Sequence, residues 1–234
     1  MPLAPAFIDF ARVADGDRVL DVGCGPGALA CELVGRLGST SVCAVDPSEA
    51  FVGAARDRLP GVRVERAVAE SLPFEDRSFD AALAQLVVHF MADPVAGLRE
   101  MRRVTKPSGV VAACVWDHAG GHGPLGVFWE AAWVLDGDVD DESSRAGTRR
   151  GHLAELFEAA GLREIEQGAV SVEVEHPSFE EWWEPFTLGV GPAGAYVAGL
   201  SATRRDRLRD LCKKRLPEGS FVIPARAWAA RGLA

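Results

Sequence analysis

The strongest constraint lies near the amino terminus, where the apolar run Arg18-Val19-Leu20-Asp21-Val22 stops at Gly23-Cys24-Gly25-Pro26-Gly27. A short run of this kind reads as a strand, and the glycines after it allow a tight turn into a helix expected over Gly27 to Leu37. Ser41 to Val45 reads as a second strand, and Ser48 is placed to cap a helix reaching about Leu59. Strand, turn, helix and strand in this order form a βαβ unit. That unit commits the chain to parallel strand pairing and to helices packed on the sheet faces.

The alternation continues. Strands are expected at Val62 to Val68 and Phe79 to Ala84, followed by a helix with Asp93 as N-cap and Pro94 at its first position. Val95, Leu98, Met101 and Arg102 recur at helical spacing, Lys106-Pro107-Ser108-Gly109 should end the helix, and Val110 to Trp116 reads as a fifth strand. Runs without polar alternation suit strands covered on both faces. Later strands differ: Val170, Val172 and Val174 alternate with polar residues, and Phe221 to Arg226 alternates less cleanly, as edge or antiparallel strands do. The roughly forty residues between them exceed what a loop in a compact domain needs. They carry helix signals of their own, a capping box at Ser178-Phe179-Glu180-Glu181 and Ser201 before Ala202 to Leu216. The expectation is one domain over 1–234, with a doubly wound α/β core at about 15–117, 148–175 and 219–231. Cap elements are expected at about 118–147 and 176–218.

Composition narrows the function. Hydrophobic residues make up 48% and charged residues 25%, as in an ordinary globular protein. A formal net charge of -9, with Lys213-Lys214-Arg215 the one short basic run, opposes binding to phosphate backbones, so no nucleic-acid partner is expected. Five cysteines without CxxC or zinc-like spacing imply a reducing, cytoplasmic setting and no metal. The amino terminus lacks the pattern of a signal peptide, and the apolar stretch Ala81 to Ala92 is too short to span a bilayer. A small molecule is the expected partner, and assembly as a homodimer is compatible with the sequence.

Gly23-Cys24-Gly25-Pro26-Gly27-Ala28 fits the dinucleotide fingerprint, and Asp46 lies where a ribose-binding acid would be. A nicotinamide-dependent oxidoreductase is therefore one reading. Asp21 opposes it, because a carboxylate two residues before the first glycine would repel a pyrophosphate. A cationic nucleoside would gain from the same charge. S-adenosylmethionine is such a ligand, with a sulfonium, an α-ammonium group, two free ribose hydroxyls and no phosphate.

DVGCGPG resembles the first motif of class I S-adenosylmethionine-dependent methyltransferases, and AVDPSE is similar to their second. The segment Ala69 to Asp80, AESLPFEDRSFD, and the later LREMRRVTKPSGVV resemble the small-molecule branch that includes the ubiquinone and menaquinone biosynthesis enzymes. The resemblance covers roughly Val19 to Trp116 and implies a Rossmann-like seven-stranded, mostly parallel sheet with a reversed last strand. It implies S-adenosyl-L-methionine as cofactor and S-adenosyl-L-homocysteine as product. Asp21, Gly23, Cys24 and Gly25 are then expected around the methionine part, and Asp46 with Pro47 at the ribose. Ala69 and Glu70 are expected near adenine, and Gln85 and Leu86 under the cofactor. Val68 stands where many relatives carry an Asp, so the adenine amine must find Glu70 or a backbone carbonyl.

The acceptor side is less sharply written. His89, after the fourth strand, and His118, after the fifth, are candidate proton acceptors; His89, Trp116, His122, Trp129 and Trp183 are candidate substrate-lining residues. Gly120, Gly121 and Gly123 should leave the segment around His122 free to move. Against these stand plainer roles: a core histidine, exposed loop histidines, aromatics that pack the cap, and an inert thiol at Cys24. A cofactor-binding protein of this fold without methyl transfer is a third reading.

Overall fold

The computed structural model describes residues 3–234. One seven-stranded sheet carries β1 (Val19–Val22), β2 (Val42–Asp46), β3 (Arg63–Arg66), β4 (Phe79–Gln85), β5 (Thr105–Trp116), β6 (Arg163–His176) and β7 (Phe221–Leu233). Their spatial order is β3-β2-β1-β4-β5-β7-β6. β1 pairs with β2 and β4, β2 with β3, and β4 with β5, all in parallel. β7 runs against β5: the Asp117 amide donates to the Arg226 carbonyl, and the Ala234 amide to that of Gly109. This is the reversed last strand of the expected architecture.

Helix starts follow their sequence signals. The Ser48 hydroxyl accepts from the Phe51 amide at the head of α3 (Glu49–Arg58), and the Asp93 carboxylate accepts from the Ala96 amide at the head of α4 (Pro94–Val104). Each such cap contributes about 1 kcal/mol. α4 buries Leu98, Met101 and Val104 against Leu20, Phe79, Val111 and Phe157. α1 (Leu3–Ala11) was not foreseen; it buries Leu3, Phe7 and Ile8 and packs against α2 (Ala28–Leu37), where Arg36 pairs with Asp9.

Strand limits differ from expectation where tertiary pairing overrides local signals. Lys106-Pro107-Ser108-Gly109, read as a helix terminator, lies inside β5, where five steps from Thr105 to Val110 face only two from Phe79 to Ala81. The bulge takes up Pro107, Ser108 at φ 64 and Gly109. β6 begins at Arg163 rather than near Val170, because an edge strand tolerates the charged REIEQ stretch on its exposed side.

The chain divides into two compact units. The first comprises the described part of Met1–Val115 with Arg145–Val170 and Ala227–Ala234, and includes α6 (His152–Ala159). The second comprises Trp116–Ser144 and Ser171–Arg226, and holds α5 (Gly126–Leu135), α7 (Phe179–Trp183), α8 (Gly191–Gly199) and α9 (Ala202–Lys213). Its core is aromatic, with Phe128, Trp129, Phe179, Trp182, Trp183 and Phe186 packed together. Among the described residues no helix is long and apolar enough to cross a membrane.

A Cβ at Gly109 would lie 2.6 Å from the Asp80 carbonyl oxygen and 2.9 Å from that of Lys106, both backbone atoms that cannot swing away. Gly109→Ala should therefore destabilise the protein by about 2 kcal/mol in thermal or urea unfolding. Gly35→Ala, in α2 with open space around it, should be neutral or stabilising by up to about 1 kcal/mol. Equal effects of the two substitutions would contradict the placement of the bulge.

Candidate active site

The carboxyl ends of β1, β2 and β4 meet around the glycine turn. The amides of Gly23 and Cys24 both donate to the Val45 carbonyl, at 2.8 and 2.9 Å, which folds the turn back over the end of β2. Gly23 sits at φ +70, and a Cβ there would press to 2.5 Å from the Val87 methyls; Gly25 sits at φ +54 with open space beside it. Both positions need glycine, the first for space and conformation, the second for conformation.

Asp46 ties this turn down. Its Oδ2 accepts from the Gly25 amide at 2.8 Å and its Oδ1 from the Ser48 amide at 2.9 Å. One backbone donor on each oxygen leaves acceptor capacity on both for further hydroxyl donors. Pro47, Ala69 and Glu70 join Gly23 around a groove of about 190 Å³, with Val68, Val87, Phe90 and Met91 as its apolar side. Neither Phe90 nor Met91 was foreseen; the signal available was their place just beyond the fourth strand. Glu70 accepts from the Asp93 amide, so one carboxylate oxygen is already engaged at the start of α4.

Asp21 is the unusual group. It lies on β1 with 1% of its surface exposed, and its Oδ2 has no hydrogen-bond partner. Burial pushes its carboxyl up to about 7, the Ala30 amide pulls it back in part, and the charge of Asp46 raises it again. Gln85, at the end of β4, likewise keeps a buried Oε1 without a partner. Leu86 follows at φ 62, its amide bound to the Cys114 carbonyl at 2.8 Å, a conformation rare for a branched residue. The Cys24 thiol is buried and held well above the ordinary thiol range, first by burial and then by Asp21 and Asp46, which makes it a poor nucleophile.

The remaining candidates divide between the units. His89 belongs to the first, buried, with its ring 4.0 Å from that of Phe90. Trp116, His118, His122, Trp129 and Trp183 belong to the second. Trp129 and Trp183 are buried in its aromatic core, Trp129 packing edge-on to Phe128 and Trp183 stacking with Phe179. The segment around His122 is not free as its glycines suggested. Buried Asp117 accepts from the Gly120 amide, the Arg226 guanidinium lies on the same carboxylate, and His122 Nδ1 is 3.1 Å away. Asp117 had not been singled out; an acid directly after an all-apolar strand was the signal.

A carboxyl raised by burial costs stability as it ionises. Asp21 stays protonated in the folded chain to about pH 7 but ionises near 4 when unfolded, so stability falls as pH rises between these values and levels off above them. Asp21→Asn should remove that loss. Its unfolding free energy should exceed that of the unsubstituted protein by a margin that grows from pH 4 to pH 7 and then stays constant; a margin independent of pH would contradict the burial.

The family model described as a methyltransferase domain matches residues 20–113, from β1 into β5. The ubiquinone/menaquinone biosynthesis C-methyltransferase UbiE of Cupriavidus metallidurans is 32% identical over 179 residues, covering 67% of this chain and 71% of that protein. The malonyl-(acyl-carrier protein) O-methyltransferase of Erwinia pyrifoliae is 34% identical over 133 residues, 52% of this chain; the chain spans only 50% of that relative's length. A solved phosphoethanolamine N-methyltransferase 2 of Haemonchus contortus, in complex with S-adenosyl-L-methionine, shares the fold with a TM-score of 0.61 at 18% identity, over 98% of this chain and 52% of its own. By sequence and fold together, the chain belongs to the class I S-adenosylmethionine-dependent methyltransferases.

Proposed function

We propose that this chain binds S-adenosyl-L-methionine at the glycine turn and transfers its methyl group to a small-molecule acceptor, with S-adenosyl-L-homocysteine as the product. One observation carries the reading: a buried carboxyl on β1, Asp21, whose Oδ2 has no partner. A ligand ammonium would satisfy that oxygen and favour the ionised form, whereas a pyrophosphate would oppose both. The nicotinamide reading loses its support at the same atom.

The residues present fit the group. Asp21 would take the α-ammonium, the two oxygens of Asp46 the ribose hydroxyls, and Gly25 would allow backbone to lie against the methionine part. Val68, Phe90 and Met91 would hold the adenine by apolar contact, since Val68 offers no acceptor. When bound, the cofactor supplies a methyl carbon already activated by its sulfonium, so the protein's work is alignment and exclusion of water. Where the acceptor is a hydroxyl, His89 or His118 would take its proton. The names of the Erwinia and Cupriavidus relatives, an O- and a C-methyltransferase, support an acceptor outside nucleic acid, as does the net charge of -9.

Calorimetry with S-adenosylhomocysteine tests the reading. Affinity should rise as pH passes from 6 to 8, because the ligand ammonium binds ionised Asp21, and Asp21→Asn should bind more weakly with that pH dependence gone. Asp46→Ala should weaken binding by about 1–3 kcal/mol, the loss of hydrogen bonds to a charged acceptor. Tighter binding of NADH than of S-adenosylmethionine would overturn the proposal. Labelled cofactor incubated with a metabolite extract should give a methylated small molecule; cofactor binding without any labelled product would leave a binding protein in place of a transferase.

A further inference from the structure

A second concavity lies in the first unit, at the opposite ends of the strands. This open concavity, about 380 Å³ in volume, is lined by Asp76 and Arg77 just before β4, Arg99, Arg102 and Arg103 on α4, Thr105 and Pro107 in β5, and Ala234. β4 runs from this end to Gln85 beside the glycine turn, so its seven residues set the two sites about 20 Å apart.

The arginines are not equivalent. Arg103 is structural: it bonds both oxygens of Glu100, Asp76 Oδ1, and the carbonyls of Leu72 and Phe74, which pins the loop before β4. Arg99 donates to the Ala159 carbonyl, and Arg102 packs over Gly161, which has no Cβ to obstruct it. Among the described residues, Arg77, Arg99 and Arg102 form no ion pair within 4.0 Å. All three are exposed. Arg99 and Arg102 stand three residues apart on one helix, where like charges repel. Arg102, in the last turn of α4, and Arg77, whose amide donates to the Arg103 carbonyl at the end of that helix, are both offset only in part by the helix dipole. The one side-chain carboxylate on this concavity, Asp76, is already paired with Arg103, so in a chain of net charge -9 the three guanidiniums without an ion pair leave a local excess of positive charge.

We propose that this concavity is a binding site for a phosphate-bearing small molecule, separate from the cofactor groove. Guanidinium groups match phosphate oxygens in pairs, and a ligand with two adjoining phosphates would engage Arg77 from the loop and Arg99 with Arg102 from the helix. Its charge would relieve the repulsion within α4, so the ligand should also stabilise the fold.

Titration calorimetry with inorganic pyrophosphate, at constant ionic strength and with S-adenosylhomocysteine saturating, tests this directly. Binding with a dissociation constant below about 1 mM is expected, weakened roughly tenfold or more in Arg77→Gln and in Arg102→Gln, with S-adenosylhomocysteine affinity unchanged in both. Arg102→Lys, which keeps the charge but not the fork, should bind with intermediate strength. The site would be overturned by no binding at 10 mM pyrophosphate, by equal binding in the substituted proteins, or by displacement of pyrophosphate by S-adenosylhomocysteine, which would put it in the glycine turn. Binding of polyglutamate in place of pyrophosphate would equally overturn it, in favour of an acidic protein partner.

Discussion

A buried carboxyl on the first strand, with one oxygen lacking a partner, is the constraint on which the proposed site depends. Asp21 is shielded from water and lacks a donor on one oxygen, so burial keeps it protonated up to about pH 7. Folding places it there because Val19, Leu20 and Val22 must be buried between helices, and the strand carries Asp21 with them. A donor brought to that oxygen would recover part of the cost of burial, and a cationic donor would recover most. Everything next to it is arranged for close approach: two glycines at positive φ, and a second carboxylate whose bonds to the Gly25 and Ser48 amides hold the turn open.

Asp46 shows how one residue can serve fold and site together. Its two accepted amides join the turn after β1 to the turn before α3, with Asp46 reaching back 21 residues to Gly25 and forward 2 to Ser48. A ligand hydroxyl arriving there meets acceptors that need no rearrangement, which is the condition for binding without an ordering cost. Leu86, strained at the end of β4, extends the same frame from the other side.

The sheet was legible because its central strands are apolar runs punctuated by glycine, and because Ser48, Asp93, Ser178 and Ser201 each cap the helix that follows. What escaped was set by partners distant in sequence. α1 has no cap signal and is a helix because Phe7 and Ile8 are buried; the bulge at Pro107 to Gly109 exists because β4 dictates the register of β5. Among the candidate residues of the glycine turn, those of the motifs were legible because glycine and acid leave a spacing signature. Phe90, Met91 and Asp117 were not, since an apolar wall and a buried loop anchor have no fixed spacing. The glycines around His122 suggested mobility, yet Asp117 and Arg226 bind that segment through side chains no local pattern could pair.

The most direct measurement is the titration of Asp21 itself, followed by carbon NMR of its labelled carboxyl with and without S-adenosylhomocysteine. A midpoint near 7 is expected in the free protein, falling by two units or more once the ligand ammonium is bound. A midpoint near 4 in the free protein, or one that does not move on binding, would contradict it.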